Sequence, residues 1–289
     1  KIRGNASLEC AMIQQSDRWK PLDGSVASIL RCEPRPFNAL REGRSPALIL
    51  PDIYPAADCA GLVRRFCDQN LLPAPETSVS ATPPRVDIGT SLGVYSKTPN
   101  RFFAHAEGTH SLFAALFDGF RNPVATVYRT LQQLLPDKCV VTAHEIDGRR
   151  YGPAIFRSYH NGQGHRPHYD SVAKRSRLLD YAVSRFDHQF AAVMCFQNSA
   201  EAEASGQAVL YDARFNEEVG GHLAAGTFHG YADEQGIRRV RVVLEPGDLY
   251  FFYSENVHEV PAVVGDTPRI VLAAFIAMSD NEEEVFVWS

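Results

Sequence analysis

A mainly β fold with flanking helices is what this 289-residue sequence predicts, and three observations predict it. Short alternating or wholly apolar runs recur from about residue 139 onward, at 154–160, 190–196, 207–211, 240–244, 248–253 and 268–277. Each has strand length and is bounded by turn-forming residues. Helical stripes dominate the stretch before them. No apolar run reaches the ~20 residues that a membrane-crossing helix needs. Many short strands in one chain point to a double-stranded β-helix, the jelly-roll, cupin-like arrangement, as the core.

The elements follow in order. Residues 1–45 mix charges with Pro34 and Pro36 and carry few periodic apolar positions. They read as a peripheral N-terminal arm, disordered at its start, ahead of a single domain over 46–289. Cys59, Leu62, Val63, Phe66 and Cys67 recur at helical spacing, which puts both thiols on a buried stripe. The prolines between 71 and 86 mark a loop, and Val86 to Tyr95 reads as a strand before a helical region. Asn122-Pro123 is a cap and first-turn signal. The stripe Val124, Val127, Tyr128, Leu131, Leu134 and Leu135 then runs to Pro136, a helix suited to buttress a sheet. Ser171 to His188 carries Lys174, Arg175, Arg177 and Arg185 among apolar residues. It reads either as a lid that brings basic groups to an anionic or amino-acid-like substrate, or as a solvated charged helix. Asn216 to Gly230, rich in glycine, reads as a mobile excursion between strands at the border of the pocket.

Chemistry enters with His168-Tyr169-Asp170, followed far downstream by His258 and then Arg269. Two imidazoles and one carboxylate are the ligand set of a non-haem Fe(II) oxygenase, in which three ligands on one face of the metal leave the other face open. Alternation along a strand puts His168 and Asp170 on one side. His258 lies just after the run Leu249 to Tyr253, itself introduced by the turn Pro246-Gly247-Asp248, so the two segments read as adjacent strands of a barrel. A lone His-x-Asp is common by chance; strand, turn, His and Arg in this order carry the reading. Two other pairs, His160 with His165 and His222 with His229, lack further ligands at zinc spacing; His165 is close enough to the metal motif to line the site, but reads rather as part of a turn facing water.

On these residues the sequence resembles the 2-oxoglutarate- and Fe(II)-dependent oxygenase superfamily, in its prolyl-hydroxylase-like branch, over about residues 46 to 280. The matching parts are Ala47-Leu48-Ile49-Leu50-Pro51 through Cys67, and Phe156-Arg157-Ser158-Tyr159 through Gly162 and Gly164 to Asp170. They continue with Ser205 to Tyr211, Pro246 to Phe252, His258 and Arg269. A more distant likeness, including Asp87-Ile88-Gly89-Thr90, runs to freestanding halogenases and hydroxylases of indole-alkaloid pathways. The resemblance implies that Fe(II), 2-oxoglutarate and O₂ are the cofactor and co-substrates, with His168, Asp170 and His258 as metal ligands. It implies that Arg269 binds the distal carboxylate of 2-oxoglutarate, a role that suits a bidentate guanidinium. Tyr159 is a candidate for the same co-substrate, with core packing as the alternative.

The chain departs from its relatives twice. Carrier-free halogenases replace the metal-binding carboxylate with Gly or Ala, whereas Asp170 is kept here, which speaks against halogenation. Cys195 stands where relatives often place a polar aromatic residue near the co-substrate.

Composition narrows the partners. A net charge of −5 and a pI near 6.1 give no electrostatic reason to expect a nucleic acid, and no membrane partner is expected. Six cysteines without a CxxC pair suit reduced thiols in an intracellular, cytoplasmic setting. The sequence begins at Lys1 rather than Met, so organelle targeting stays open. The expected activity is hydroxylation of an unactivated C–H bond in a small molecule, a specialised metabolite or amino-acid derivative, with release of succinate and CO₂. Desaturation or oxidative cyclisation is the variant outcome. A protein side-chain hydroxylase and a non-catalytic cupin-like metal-binding sensor are the alternatives. The sequence sets no oligomeric state.

Overall fold

A computed structural model describes residues 19–72, 85–174, 180–199 and 205–289. The first part of the chain forms β1 (Leu22–Asp23), α1 (Val26–Cys32), α2 (Pro36–Arg41), β2 (Ala47–Leu50), α3 (Ala56–Asp68) and β3 (Val86–Gly89). Next come α4 (Leu92–Tyr95), α5 (Pro99–Leu116), α6 (Pro123–Leu134), β4 (Cys139–Thr142), β5 (Ile155–Tyr159) and β6 (His165–His168). A 3-10 turn at Ala182–Arg185 leads to β7 (His188–Gln197), β8 (Val209–Arg214), α7 (Glu217–Ala225) and α8 (Phe228–Glu234). The chain closes with β9 (Arg239–Arg241), β10 (Leu249–Tyr253), β11 (Asn256–Val260), β12 (Arg269–Met278) and β13 (Glu284–Trp288).

The strands divide into two sheets. A nine-stranded sheet runs β1-β2-β10-β7-β12-β13-β4, with β5 on the free half of β12 and β3 beyond β5. A four-stranded sheet runs β6-β11-β8-β9. Strand alternation gives the large sheet two apolar faces with separate tasks. Phe156, Phe190, Met194, Leu249, Phe251 and Leu272 point outward and meet Leu62 and Phe66 of α3 and Leu131 and Leu134 of α6 in the main core. The residues between them, such as Val193, Tyr250, Phe252 and Val271, point inward and line a cavity toward the small sheet.

Helix α6 forms where the cap signal places it, with the Asn122 side chain accepting from the Ala125 amide at 3.0 Å. The predicted stripe is buried at Val127, Leu131 and Leu134. Helix α3 likewise buries Cys59, Leu62, Val63 and Phe66. In the span read as an arm, Leu22 and Asp23 pair parallel with Leu48 and Ile49. Phe37 and Leu40 of α2 enter the main core, while residues 1–18, where disorder was expected, lie outside the described residues.

Three local expectations are corrected. The strand expected over Val86 to Tyr95 stops at Gly89, because Ser289 takes the backbone beyond it: its hydroxyl donates to the Thr90 carbonyl at 2.7 Å and its carbonyl accepts from the Leu92 amide at 3.0 Å. The glycine-rich stretch from Asn216 is two helices rather than a mobile excursion. Asn216 caps the Val219 amide at 2.8 Å and Gly226 closes α7 in the left-handed conformation. Finally, β10 and β11 follow each other in sequence but pair in different sheets, β10 with β2 and β7, β11 with β6 and β8. The turn Ser254-Glu255 therefore steps from one sheet to the other.

The turn that launches β10 shows why its residues are needed. Gly247 sits at φ 104°, and a side chain there would strike the Tyr54 carbonyl oxygen. Asp248 then accepts from the Glu245 amide at 2.8 Å and the Asp52 amide at 3.0 Å, so one carboxylate ties two loops together.

Phe66 is fully buried and meets Phe156 edge-on at 4.8 Å, so Phe66→Ala should cost about 3–5 kcal/mol, read as a shift of the denaturant midpoint. Cys59 and Cys195 are buried and burial pushes each thiol up to about 12, while Cys32 and Cys139 are exposed. At about pH 8 an alkylating reagent should therefore modify Cys32 and Cys139 in the folded protein and reach Cys59 and Cys195 only after unfolding, as peptide mapping would show.

Candidate metal centre

Register across the small sheet builds the site. His258 of β11 is the direct antiparallel partner of His168 in β6, and opposed residues present their side chains on the same face about 5 Å apart. The two imidazoles meet with ring centroids 4.2 Å apart. Each Nδ1 is placed on a backbone carbonyl, His168 on Arg166 at 2.8 Å and His258 on Asn256 at 2.9 Å. That arrangement makes Nδ1 the protonated nitrogen and leaves the Nε2 lone pairs facing inward.

Asp170 completes the group from just beyond the end of β6 rather than from within the strand. Its amide donates to the Ser254 carbonyl at 2.8 Å, and the Ser254 hydroxyl donates to the Asp170 carbonyl at 3.1 Å. The sheet-crossing turn thus clamps the backbone that carries the carboxylate. Asp170 Oδ2 lies 3.6 Å from His168 Nε2 and 3.7 Å from His258 Nε2. One donor atom from each of the three lies within 4.8 Å of the others. Burial acts to raise the Asp170 carboxyl, but the two imidazoles outweigh it and hold it well below the usual carboxylate range. Burial lowers His258, reinforced by His168 and opposed by Asp170. Two imidazole nitrogens and one carboxylate oxygen converging on a point are a donor set that fits Fe(II).

Arg269, the first residue of β12, is buried and faces Tyr159 of β5 across the ladder. Its guanidinium carbon lies 5.8 Å from the centre of the Tyr159 ring, and its Nε has no hydrogen-bond partner. Room for it comes from Gly206, at φ 72°, where an added side-chain carbon would lie 3.1 Å from Arg269 Cδ. The structure brings all five predicted residues, His168, Asp170, His258, Arg269 and Tyr159, to one cavity.

Cys195 is buried on the cavity side of β7 among Ala208, Tyr250 and Phe252, with its thiol donating to Asn198 Oδ1 at 3.3 Å. The polar aromatic residue beside Arg269 is Tyr250, one strand over, which lines the cavity with Tyr159. Burial pushes the Tyr250 hydroxyl up, with Arg269 opposing, so it stays protonated.

Of the two places open to His165, the structure corrects the water-facing turn in favour of the site. It lies in β6 with its ring centroid 3.6 Å from that of His168 and lines the cavity. Burial, then the neighbouring His168, push it down to about 3, so it is a neutral ring. The reason is a bulge: His165 and His168 pair with Val260 and His258, three steps of chain against two. Period-two reading fails across such an extra residue. Arg157 of β5 also lines the cavity, and sequence reasoning gave it no role.

Of the stretch expected as a lid, residues 175–179, including Arg175 and Arg177, lie outside the described residues. Lys174 pairs with the buried Glu255 at 2.6 Å, and the Tyr181 hydroxyl donates to the Ser96 carbonyl at 2.9 Å. His222 and His229 form no joint site: His222 contacts Thr227 and His229 contacts Glu259.

Replacing one of the three converging donors should weaken metal binding and spare the fold. Asp170→Ala and His258→Ala are each expected to weaken Fe(II) binding more than about 100-fold, measured by metal content after dialysis. The far-ultraviolet circular dichroism of the metal-free variants should match that of the parent.

Known structures share this fold. Among solved structures, an N-substituted L-amino acid dioxygenase from Burkholderia ambifaria AMMD superposes with a TM-score of 0.55 at 16% identity, covering 87% of this chain and 89% of that one. Its complex with α-ketoglutarate gives 0.55 and 16%, covering 88% and 90%. HygX from Streptomyces hygroscopicus, with nickel and 2-oxoglutarate bound, gives 0.47 at 11% identity, covering 85% and 88%. Comparison with curated proteins gives no match. The model of one family, described as carrier-protein-independent halogenase WelO5, matches residues 22–289, a longer span than the resemblance read from the motifs. With nearly all of its length matched, the chain belongs to the carrier-protein-independent halogenase WelO5 family, within the 2-oxoglutarate- and Fe(II)-dependent oxygenases.

Proposed function

We propose that this protein is a freestanding 2-oxoglutarate-dependent dioxygenase that hydroxylates an unactivated C–H bond of a small molecule. The observation that carries the reading is Asp170, held within 3.7 Å of both imidazoles. A carboxylate there fills the metal position that a halide would need, so oxygen transfer is favoured over halogenation despite the family's description. When bound, iron and 2-oxoglutarate supply the activation of O₂ that oxidises the substrate, with release of succinate and CO₂.

The chain's own residues have separate tasks. His168 and His258 offer Nε2 to iron, with orientation set by the carbonyls of Arg166 and Asn256. Asp170 contributes one negative charge, and the Ser254 clamp keeps its approach fixed. Arg269 takes the distal carboxylate of 2-oxoglutarate, because a buried guanidinium whose Nε has no hydrogen-bond partner calls for an anion. Tyr159 packs against that guanidinium and limits the positions it can adopt. Val193, Phe252, Val260 and Val271 keep the cavity apolar, exclude water and hold the substrate's hydrocarbon body.

A small molecule is favoured over a protein side chain because the metal group lies in a cavity between the two sheets. The Burkholderia dioxygenase is, by its description, active on N-substituted L-amino acids, small molecules of the proposed kind.

Screening apolar acids, amines, amino acids and alkaloids for Fe(II)-dependent succinate formation tests the class. The product formed under ¹⁸O₂ in chloride buffer should carry one labelled oxygen and no chlorine isotope pattern; a chlorinated product would overturn the hydroxylase reading. Arg269→Ala should raise the 2-oxoglutarate concentration for half-saturation by roughly 10–100-fold and leave Fe(II) binding near that of the parent.

A further inference from the structure

Arg157 is the second guanidinium of the cavity, and neither the metal group nor the co-substrate site uses it. It sits at the middle of β5, opposite Val271 of β12, one inward-facing step along the ladder from the Tyr159–Arg269 pair. Its Nε is buried and has no hydrogen-bond partner. Among the described residues, no carboxylate forms an ion pair with it.

The nearest acidic residue by register is accounted for. Asp87 of β3 is the direct partner of Arg157 across the ladder, where a salt bridge between opposed side chains would ordinarily form. Arg85 takes that carboxylate instead, with two bonds of 2.9 and 2.8 Å. Arg157 is thereby left in the cavity without an internal counterion.

The surroundings of the two arginines also differ. Arg269, the first residue of β12, lies over the Tyr159 ring, whereas Arg157 lies opposite Val271, two residues further along that strand. They serve two positions in one cavity. Charge leads to the same point. Iron(II), Asp170, doubly charged 2-oxoglutarate and Arg269 together are neutral, and Arg157 leaves one positive charge over. A part-buried charge in an apolar cavity calls for a partner. Arg is suited to a carboxylate or other oxyanion through paired N–H donors.

We infer that Arg157 is the anchor for an anionic group on the primary substrate. The substrate is then an apolar molecule with a single carboxylate or equivalent oxyanion, held by Arg157 at one end with its hydrocarbon part against Val193, Val271 and Phe252. This inference rests on the oxygenase reading above and adds the substrate class to it.

The test is calorimetric and needs no turnover. Anaerobic protein loaded with Fe(II) and 2-oxoglutarate is titrated with 3-phenylpropionate, 4-phenylbutyrate and indole-3-propionate, each beside its primary amide. In the parent, at least one acid should bind about tenfold or more tightly than its amide. Arg157→Gln should abolish that preference and Arg157→Lys should restore part of it, with 2-oxoglutarate half-saturation unchanged in both, which also reports an intact barrel. Three results would overturn the inference: no acid favoured over its amide in the parent, a preference that survives Arg157→Gln, or a 2-oxoglutarate affinity that falls about tenfold or more in Arg157→Gln. The parent's preference is read without any variant. Failure of 2-oxoglutarate to bind the iron-loaded parent is a different outcome and overturns the oxygenase reading itself.

Discussion

One antiparallel pairing, His258 against His168, carries the rest of the site. Because opposed residues share a face, this register alone brings two distant imidazoles together, and a slip by one residue would turn one of them away. The backbone supports the register twice over. Asn256 and Arg166, each two residues before its histidine, accept from the Nδ1 atoms. Ser254, at the crossing between sheets, holds both the amide and the carbonyl of Asp170. The third donor is therefore set by a turn and not by a strand, which is how a ladder of limited reach closes a three-sided group.

The large sheet supplies the rigidity behind that arrangement. Its outer face is anchored by an aromatic core in which Phe156 meets Phe66, Phe113 and Phe196, so the inward residues of β5, β7, β10 and β12 are held by the packing of their neighbours. Arg269, Tyr159 and Arg157 all ride on the β5–β12 ladder. The same two strands thus carry the proposed co-substrate position and the Arg157 guanidinium next to it. Keeping these groups on strands, not loops, fixes their spacing to the metal group.

Much of this was legible in the sequence, for physical reasons that differ by element. Strands such as Leu249–Tyr253 and Arg269–Met278 are apolar on both faces, since one face enters the core and the other the cavity, and they stand out as continuous runs. Helix α6 announced itself by its Asn-Pro cap and its stripe. His165 was hidden by a bulge that breaks the period of two. The crossing of β10 to β11 was hidden because a tight turn between two strands looks alike whether they share a sheet or not. The glycines at 220 and 221 suggested a loop, while Asn216 and Gly226, the caps that make it a helix, were read as loop residues too. Arg157 could have been found by asking why an Arg follows Ile155 and Phe156 in a strand whose other inward positions are Ile155 and Tyr159.

The account rests on a metal held by His168, Asp170 and His258 with 2-oxoglutarate chelated beside it. The most direct measurement adds Fe(II) and then 2-oxoglutarate to the purified protein without oxygen and records the visible spectrum. A metal-to-ligand charge-transfer band that grows with 2-oxoglutarate and saturates at one equivalent per chain is the predicted result. Folded, iron-loaded protein that develops no such band would contradict the account.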